Sequence, residues 1–371
     1  MKPATILPPA LQSAGRTHVL LRGRELCYFG GCDYFRLASH PKVLQALRDG
    51  LRDFGLNVSA SRMTTGNHPV YERLEKNLAN FFGSQSATLA PNGWTPNAMV
   101  TQALAGRFSH ALMDERAHAS LVDAARLLDC PVLKFRHRDA ADLARIIRRL
   151  GAIKPLLMTD GMFSHDGSVA PLREYLAVLP RGGMLLVDDA HGAGVLGATG
   201  RGTPQHANVP MPRIIQTITL SKAFGVFGGA VIGPRKLRMD IIARSGIFTG
   251  TTPLPLPLAC AALKSLEILR ANPRMRRRLN RNVGYLRQQL REEGMLVAGL
   301  PGPIVSLVPR NRRDADHLTR QLLAMDIHPP FIRYPGGPKN GYFRFAISSE
   351  HTIAQLHLLA KVLARHTFLQ S

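Results

Sequence analysis

Between residues 87 and 232, seven short apolar runs alternate with stretches whose apolar residues recur at helical spacing, and this alternation constrains the fold most. The runs are 87–89, 111–113, 131–135, 155–158, 184–187, 214–219 and 229–232; helical spacing occupies 43–54, 71–82, 120–128 and 140–150. Short strands separated by helices are the pattern of β-α units, so the expected class is α/β with a mostly parallel central sheet. Open sheets of this kind bind their ligands beyond the carboxyl ends of the strands.

Past residue 270 the texture changes. A basic helix, a strand-like 303–308, a helix over 314–324 and a strand-like 342–347 read as a smaller C-terminal α+β domain. The expected division is an N-terminal arm over 1–37, a large α/β domain over 38–270 and a small domain over 271–371. At 371 residues the chain can bury a substantial core without cross-links. Its four cysteines (Cys27, Cys32, Cys130, Cys260) form no C-x-x-C pair and no zinc-ligand spacing, so reduced thiols, no metal and a cytoplasmic location are expected.

No apolar run reaches the length of a membrane span, and the N-terminal residues are read as neither a secretory leader nor a transit peptide, whose helix Pro3, Pro8 and Pro9 would interrupt. No membrane partner is expected. The formal net charge of +23 attracts polyanions. The basic residues are scattered, however, and the densest run, 274–281, lies in a helical pattern without interleaved aromatics. That argues for a solvated helix face and against nucleic acid as a partner. A phosphate-rich coenzyme A ester would also suit a basic protein.

Two strand ends carry candidate chemistry. In MLLVDDAHGAG, residues 184–194, Asp188 and His191 stand at or just past a buried strand; taken alone, they could be turn or capping residues. In TITLSKAFGVFGG, residues 217–229, Lys222 follows another apolar strand and precedes Gly225, Gly228 and Gly229. A lysine in such a place is costly unless its amine is neutral or paired, and forming an imine with an aldehyde cofactor is one use for it.

These fragments, with DERAHASLVDAA, TDGMFSHDGSVAPL and VDDAHGAGVLGATGRG, occur in an order that resembles the α-oxoamine synthases, pyridoxal-phosphate enzymes of the aspartate-aminotransferase fold, or fold type I. The resemblance runs from about Tyr28 through Ser349. It implies pyridoxal 5′-phosphate as cofactor, with Lys222 as the Schiff-base lysine and base, Asp188 paired with the pyridine nitrogen, and His191 and Ser164 near the phenolic oxygen. His118, alone no more than a surface or core histidine, would stack on the ring. Gly93 and Trp94 at a helix N-terminus, with Thr219, would hold the phosphate through free N–H groups and a hydroxyl; Trp94 alone could equally be a core residue. Thr251 and Thr252 would reach the phosphate from a neighbouring subunit, which implies a homodimer with shared sites. Arg344 would grip the amino-acid carboxylate with a bidentate fork, Arg333 being close in sequence.

The chain departs from the family on the substrate side. Cys32 replaces an asparagine, GLNVSASR at 55–62 keeps Ser61 and Arg62 but loses internal glycines, and Tyr71 replaces a histidine. Cys32 and Arg62 are therefore the residues expected to shape substrate choice. The implied reaction condenses an amino acid with an acyl thioester, on coenzyme A or an acyl carrier protein, and loses carbon dioxide to give an α-amino ketone. Two other readings stay open: an aminotransferase or aldol-type lyase on the same fold, and a catalytically silent partner subunit, against which the retained Lys222, Asp188, His191 and His118 argue.

Overall fold

The computed structural model describes residues 7–333 and 337–366. The chain forms two compact units: residues 35–277 with 300–302, and the described parts of 1–34, 278–299 and 303–371. Residues 1–37, read from sequence as an arm, thus divide between them. Most of that segment joins the C-terminal residues through backbone hydrogen bonds, Cys27 N–H to Asp326 O at 2.7 Å and His328 N–H to Cys27 O at 2.9 Å. Texture along the chain cannot reveal such pairing across three hundred residues.

In the smaller unit, β1 (Gln12–Ala14), β2 (His18–Leu21) and β3 (Arg24–Cys27) form an antiparallel meander. The larger unit opens with α1 (Pro41–Phe54) and α2 (Pro69–Phe82). Each begins with a histidine whose side chain accepts a backbone N–H, from Lys42 and Val70, followed by a proline that has no N–H to leave unpaired.

The central sheet contains β4 (Ser86–Ala90), β5 (His110–Asp114), β6 (Val132–Phe135), β7 (Pro155–Asp160), β8 (Met184–Asp188), β9 (Ile214–Thr219) and β10 (Gly229–Gly233). Their order is β4-β10-β9-β8-β7-β5-β6, and only β10 runs against its neighbours. All seven expected strands are present, with ends displaced by at most two residues.

Helices α3 (Thr95–Leu104), α4 (Ala119–Ala125) and α5 (Ala140–Leu150) follow β4, β5 and β6. The expected helix over 120–128 ends early as α4, and a 3-10 turn, Arg126–Leu128, completes it. Alternation along the strands separates two cores. Leu156, Met158 and Leu186 pack on one face with Met99, Val100 and Leu121, whereas Leu157, Leu185 and Val187 pack on the other with Leu143, Ile146 and Tyr175. Covering both faces is what makes these strands read as unbroken apolar runs.

The smaller unit also holds β11 (Ile304–Leu307), β12 (Phe331–Ile332) and β13 (Tyr342–Ala346), antiparallel with β13 in the centre. Helices Arg312–Ala324 and Ile353–Ala364 belong to the same unit. Among the described residues, no helix is long and apolar enough to cross a membrane.

Candidate active site

The carboxyl ends of β7, β8 and β9 place Asp160, Asp188 and Thr219 around one cavity of about 190 Å³. Eight residues singled out by sequence line it: Lys222, Asp188, His191, His118, Ser164, Thr219, Gly93 and Trp94. Lys222, Ser164 and His118 are half-buried, and Asp188 and His191 are buried.

Asp188 is held by neutral donors. Its Oδ2 accepts from Asn97 Nδ2 at 2.7 Å and lies 3.3 Å from Ser120 Oγ, while its Oδ1 accepts from Ala190 N–H at 3.1 Å. Asn97, fully buried on α3, is oriented in turn by Thr217, whose hydroxyl donates to its Oδ1 at 2.7 Å. An amide held this way can only present its N–H groups to the carboxylate. The carboxyl oxygens are thereby fixed in place by neutral groups.

His118 caps α4, its Nδ1 accepting the Ser120 N–H at 3.3 Å. Its own backbone N–H donates to Asp160 Oδ2 at 3.1 Å. Burial lowers the basicity of the ring; the Asp188 carboxylate opposes that effect and Lys222 adds to it. The carboxyl of Asp160 is held well above its ordinary range, first by burial, then by the neighbouring Asp188 charge; the His118 N–H and Lys222 act against the rise.

Gly93 is required where it stands, because a Cβ there would overlap the Thr219 side chain. Trp94 is 44% exposed and meets His118 edge-on with ring centres 5.4 Å apart, so it is a cavity-lip residue and not a core one. Its N–H, expected to be free, donates to Asn92 Oδ1 at 2.9 Å, as does that of Thr95 at 3.1 Å. Occupation of that helix end by a phosphate would have to displace the Asn92 side chain.

Other expected residues lie elsewhere. Arg62, expected on the substrate side, is sealed in a bidentate ion pair with Glu75 at 2.5 and 3.2 Å and spreads over the Tyr71 ring, 5.2 Å from its centre. Both side chains are 6% exposed. Tyr71 is fully buried, its hydroxyl donating to Leu254 O at 2.7 Å. The retained Arg62 and the departure at Tyr71 therefore build a packed layer in this chain. Thr251 donates to Ile247 O at 2.6 Å and shares a small pocket with Arg62 and Phe248; Thr252 is exposed. Neither lines the cavity. Arg344 and Cys32 belong to the smaller unit and meet there, Nη2 to Sγ at 3.9 Å. Burial, then Cys32, raises the Tyr34 phenol beside them, and Arg344 counters.

Asp160, Ser120 and Asn97, in the cavity and its support, are among the residues that escaped sequence reasoning. Asp160 ends a strand as Asp188 does, so the same strand-end rule would have found it. Ser120 lies two residues from His118 in the same motif. Asn97 carried no signal, since its role depends on a partner 91 residues away.

A mostly parallel sheet with a lysine, a buried carboxylate and a histidine lining one cavity beyond its strand ends is the arrangement of a pyridoxal-phosphate fold type I enzyme. The aminotransferase class I and II family model matches residues 30–363. The putative 8-amino-7-oxononanoate synthase of Desulforudis audaxviator is 36% identical over 348 residues, 93% of this chain and 90% of that one. The 8-amino-7-oxononanoate synthase of Thioalkalivibrio sulfidiphilus is 37% identical over 347 residues, 92% and 88% of the two chains. Among solved structures, a serine palmitoyltransferase variant from S. paucimobilis carrying PLP and myriocin superposes with a TM-score of 0.90 at 26% identity, covering 96% of this chain and 92% of that one. The chain belongs to the aminotransferase class I and II family, in its α-oxoamine synthase branch. It is a pyridoxal-phosphate-dependent acyltransferase of the type that condenses an amino acid with an acyl thioester and releases carbon dioxide.

The residues present fit that cofactor. Asp188 is buried and, among the described residues, accepts hydrogen bonds from neutral groups, an arrangement that would suit a protonated ring nitrogen; Gly93 keeps space open beside the Thr219 hydroxyl; and Lys222 lines the same cavity.

Proposed function

We propose that Lys222 holds the aldehyde of pyridoxal 5′-phosphate in this cavity and, once displaced by the amino acid, serves as the base at the substrate's α-carbon. The observation that carries this reading is the convergence of Lys222, Asp188, His118 and His191 on one cavity. The bound cofactor supplies an electron sink for the pair left on that carbon. Asp188 would keep the ring nitrogen protonated through a charge-assisted hydrogen bond. His118, at the cavity wall beside Trp94, would cover the ring face, and His191 and Ser164 would contact the phenolic oxygen. Gly93, Trp94 and Thr219 would hold the phosphate, with the Asn92 side chain yielding. Arg344 would bind the amino-acid carboxylate, with Cys32, one of the three departures from the family pattern, as its neighbour.

The exposed Thr252, outside its own chain's cavity, would complete a partner's phosphate site together with Thr251, so we read a homodimer. The four cysteines, with no C-x-x-C pair and no zinc-ligand spacing, favour a reducing compartment, the cytoplasm. Amino acids offered with panels of acyl-coenzyme A and acyl-carrier-protein thioesters test the reaction. Carbon dioxide released only when both substrates are present supports it, and amino-group transfer to a keto acid without thioester would replace it with the aminotransferase reading. Mixing Lys222→Ala with Thr252→Ala chains tests the sharing: partial recovery of turnover is expected, and none would mean that each subunit's site is self-contained.

A further inference from the structure

Ser120 is 1% exposed, and its hydroxyl stands where three polar groups converge. Asn97 Nδ2 donates to its Oγ at 3.0 Å, His118 Nδ1 lies 2.8 Å away, and Asp188 Oδ2 lies 3.3 Å away. The backbone N–H of Ser120 also points at His118 Nδ1. A backbone N–H can only donate, so Nδ1 accepts in the neutral ring and the proton sits on Nε2. The one hydroxyl proton of Ser120 then has two competing acceptors, His118 Nδ1 and Asp188 Oδ2. With the ring neutral it points to the nearer, Nδ1. When the ring gains a proton at Nδ1, that N–H donates to Oγ, and the hydroxyl can only turn to Asp188.

We propose that Ser120 is a positioning residue that links the protonation of His118 to the hydrogen bonding of Asp188, so that the residue proposed to cover the cofactor ring and the residue proposed to face its nitrogen respond together. The functional meaning rests on the cofactor-site reading above; the link itself is a property of the protein. The other charged groups facing His118 are Asp160, which binds its backbone N–H, and Lys222 across the cavity. Neither offers a path through Ser120. Burial of the hydroxyl excludes water as a substitute partner, so removing it leaves Nδ1–H of the charged ring without an acceptor.

The test is the titration of His118 in the full-length protein labelled at histidine nitrogen, followed by NMR and assigned by loss of its signal in His118→Gln. The neutral ring should show the Nε2–H tautomer. Ser120→Ala should weaken proton binding by His118 about tenfold, the effect of losing one hydrogen bond to a charged group. Asp188→Asn should weaken it too, but by less in the Ser120→Ala background than in the wild type. Thr217→Val preserves shape while freeing the Asn97 amide, and should shift the titration in the same direction by a smaller amount; it decides the matter if Ser120→Ala does not fold. An unchanged titration in Ser120→Ala, or an Asp188→Asn effect equal in both backgrounds, would overturn the link. Cofactor binding, followed by visible absorbance in the same preparations, is read separately. Its failure in the wild type would remove the cofactor-site reading and leave the titration result standing.

Discussion

Asp188 and Asp189 are neighbours in sequence and opposites in surroundings. Asp188 looks into the cavity with Asn97, Ser120 and the Ala190 N–H behind it. Asp189 is fully enclosed, accepting from Thr203 N–H at 2.8 Å, Thr203 Oγ1 at 2.6 Å and Gln216 Nε2 at 2.7 Å. A Cβ at Gly161, Gly192 or Gly202 would collide with its carboxylate. Successive residues of an extended chain point to opposite sides, so one acid of the pair meets the ligand space and the other meets packed protein. The first lines the cavity. The second fixes the segment that carries His191, and burial pushes its carboxyl up to about 7.

The sharpest test of the cavity side is Lys222→Ala, which should abolish the visible absorbance of bound cofactor and lower turnover on the order of 10² to 10⁴, the contribution of a positioned base. Asp188→Asn comes next. We expect α-proton exchange to fall on the order of 10² to 10³, as when one preorganised electrostatic partner is removed, with the melting temperature nearly unchanged. Asp189→Asn should do the reverse, lowering the melting temperature while the folded fraction retains exchange. Equal losses of exchange in the two variants, compared at equal folded fraction, would erase the distinction between the two acids.

Buried charge outside the cavity extends the comparison. Arg62→Met leaves Glu75 with the partly exposed Arg238 and the Leu89 N–H, each at 3.0 Å, and should destabilise the fold by about 3 kcal/mol in denaturant titrations. Cofactor absorbance should persist in the folded fraction, and its selective loss would place Arg62 among the ligand-binding residues. Gly192→Ala, which forces a methyl against Asp189, should cost about 1 to 3 kcal/mol.

The smallest expected effect is on pH dependence. An unfolded aspartate loses its proton near pH 4, whereas Asp189 in the folded chain keeps it to about 7. Between those values the folded chain binds more protons than the unfolded one, so this contribution to stability is complete below about pH 4 and is lost as pH rises through about 7. The melting-temperature gap between wild type and Asp189→Asn should therefore narrow over that window; a gap that widens would mean that Asp189 is buried as a carboxylate.

Much of this was legible in advance because it is written in local periods. The seven runs became the seven strands of the sheet, and the motifs at their ends put eight expected residues around one cavity. What escaped was pairwise. Nothing near Asn97 announces that it meets Asp188, and nothing near Arg62 announces that it meets Glu75 and closes over Tyr71. Trp94 shows the same limit: its motif gave its place beside the cavity, but exposure at the lip depends on which side chains pack behind it.

The sequence by itself determined the kinds of element, their order, the family, and the chemical groups available at the strand ends, because backbone periodicity and strand-to-helix turns are decided by neighbours along the chain. Only the tertiary structure decided that the second of two adjacent acids is enclosed by Thr203 and Gln216, which hydroxyl stands between His118 and Asp188, and which arginine is sealed in an ion pair. Those outcomes depend on the register of strands and helices far apart in sequence. Register is a property of the packed sheet, in which a displacement of one residue would exchange the two faces.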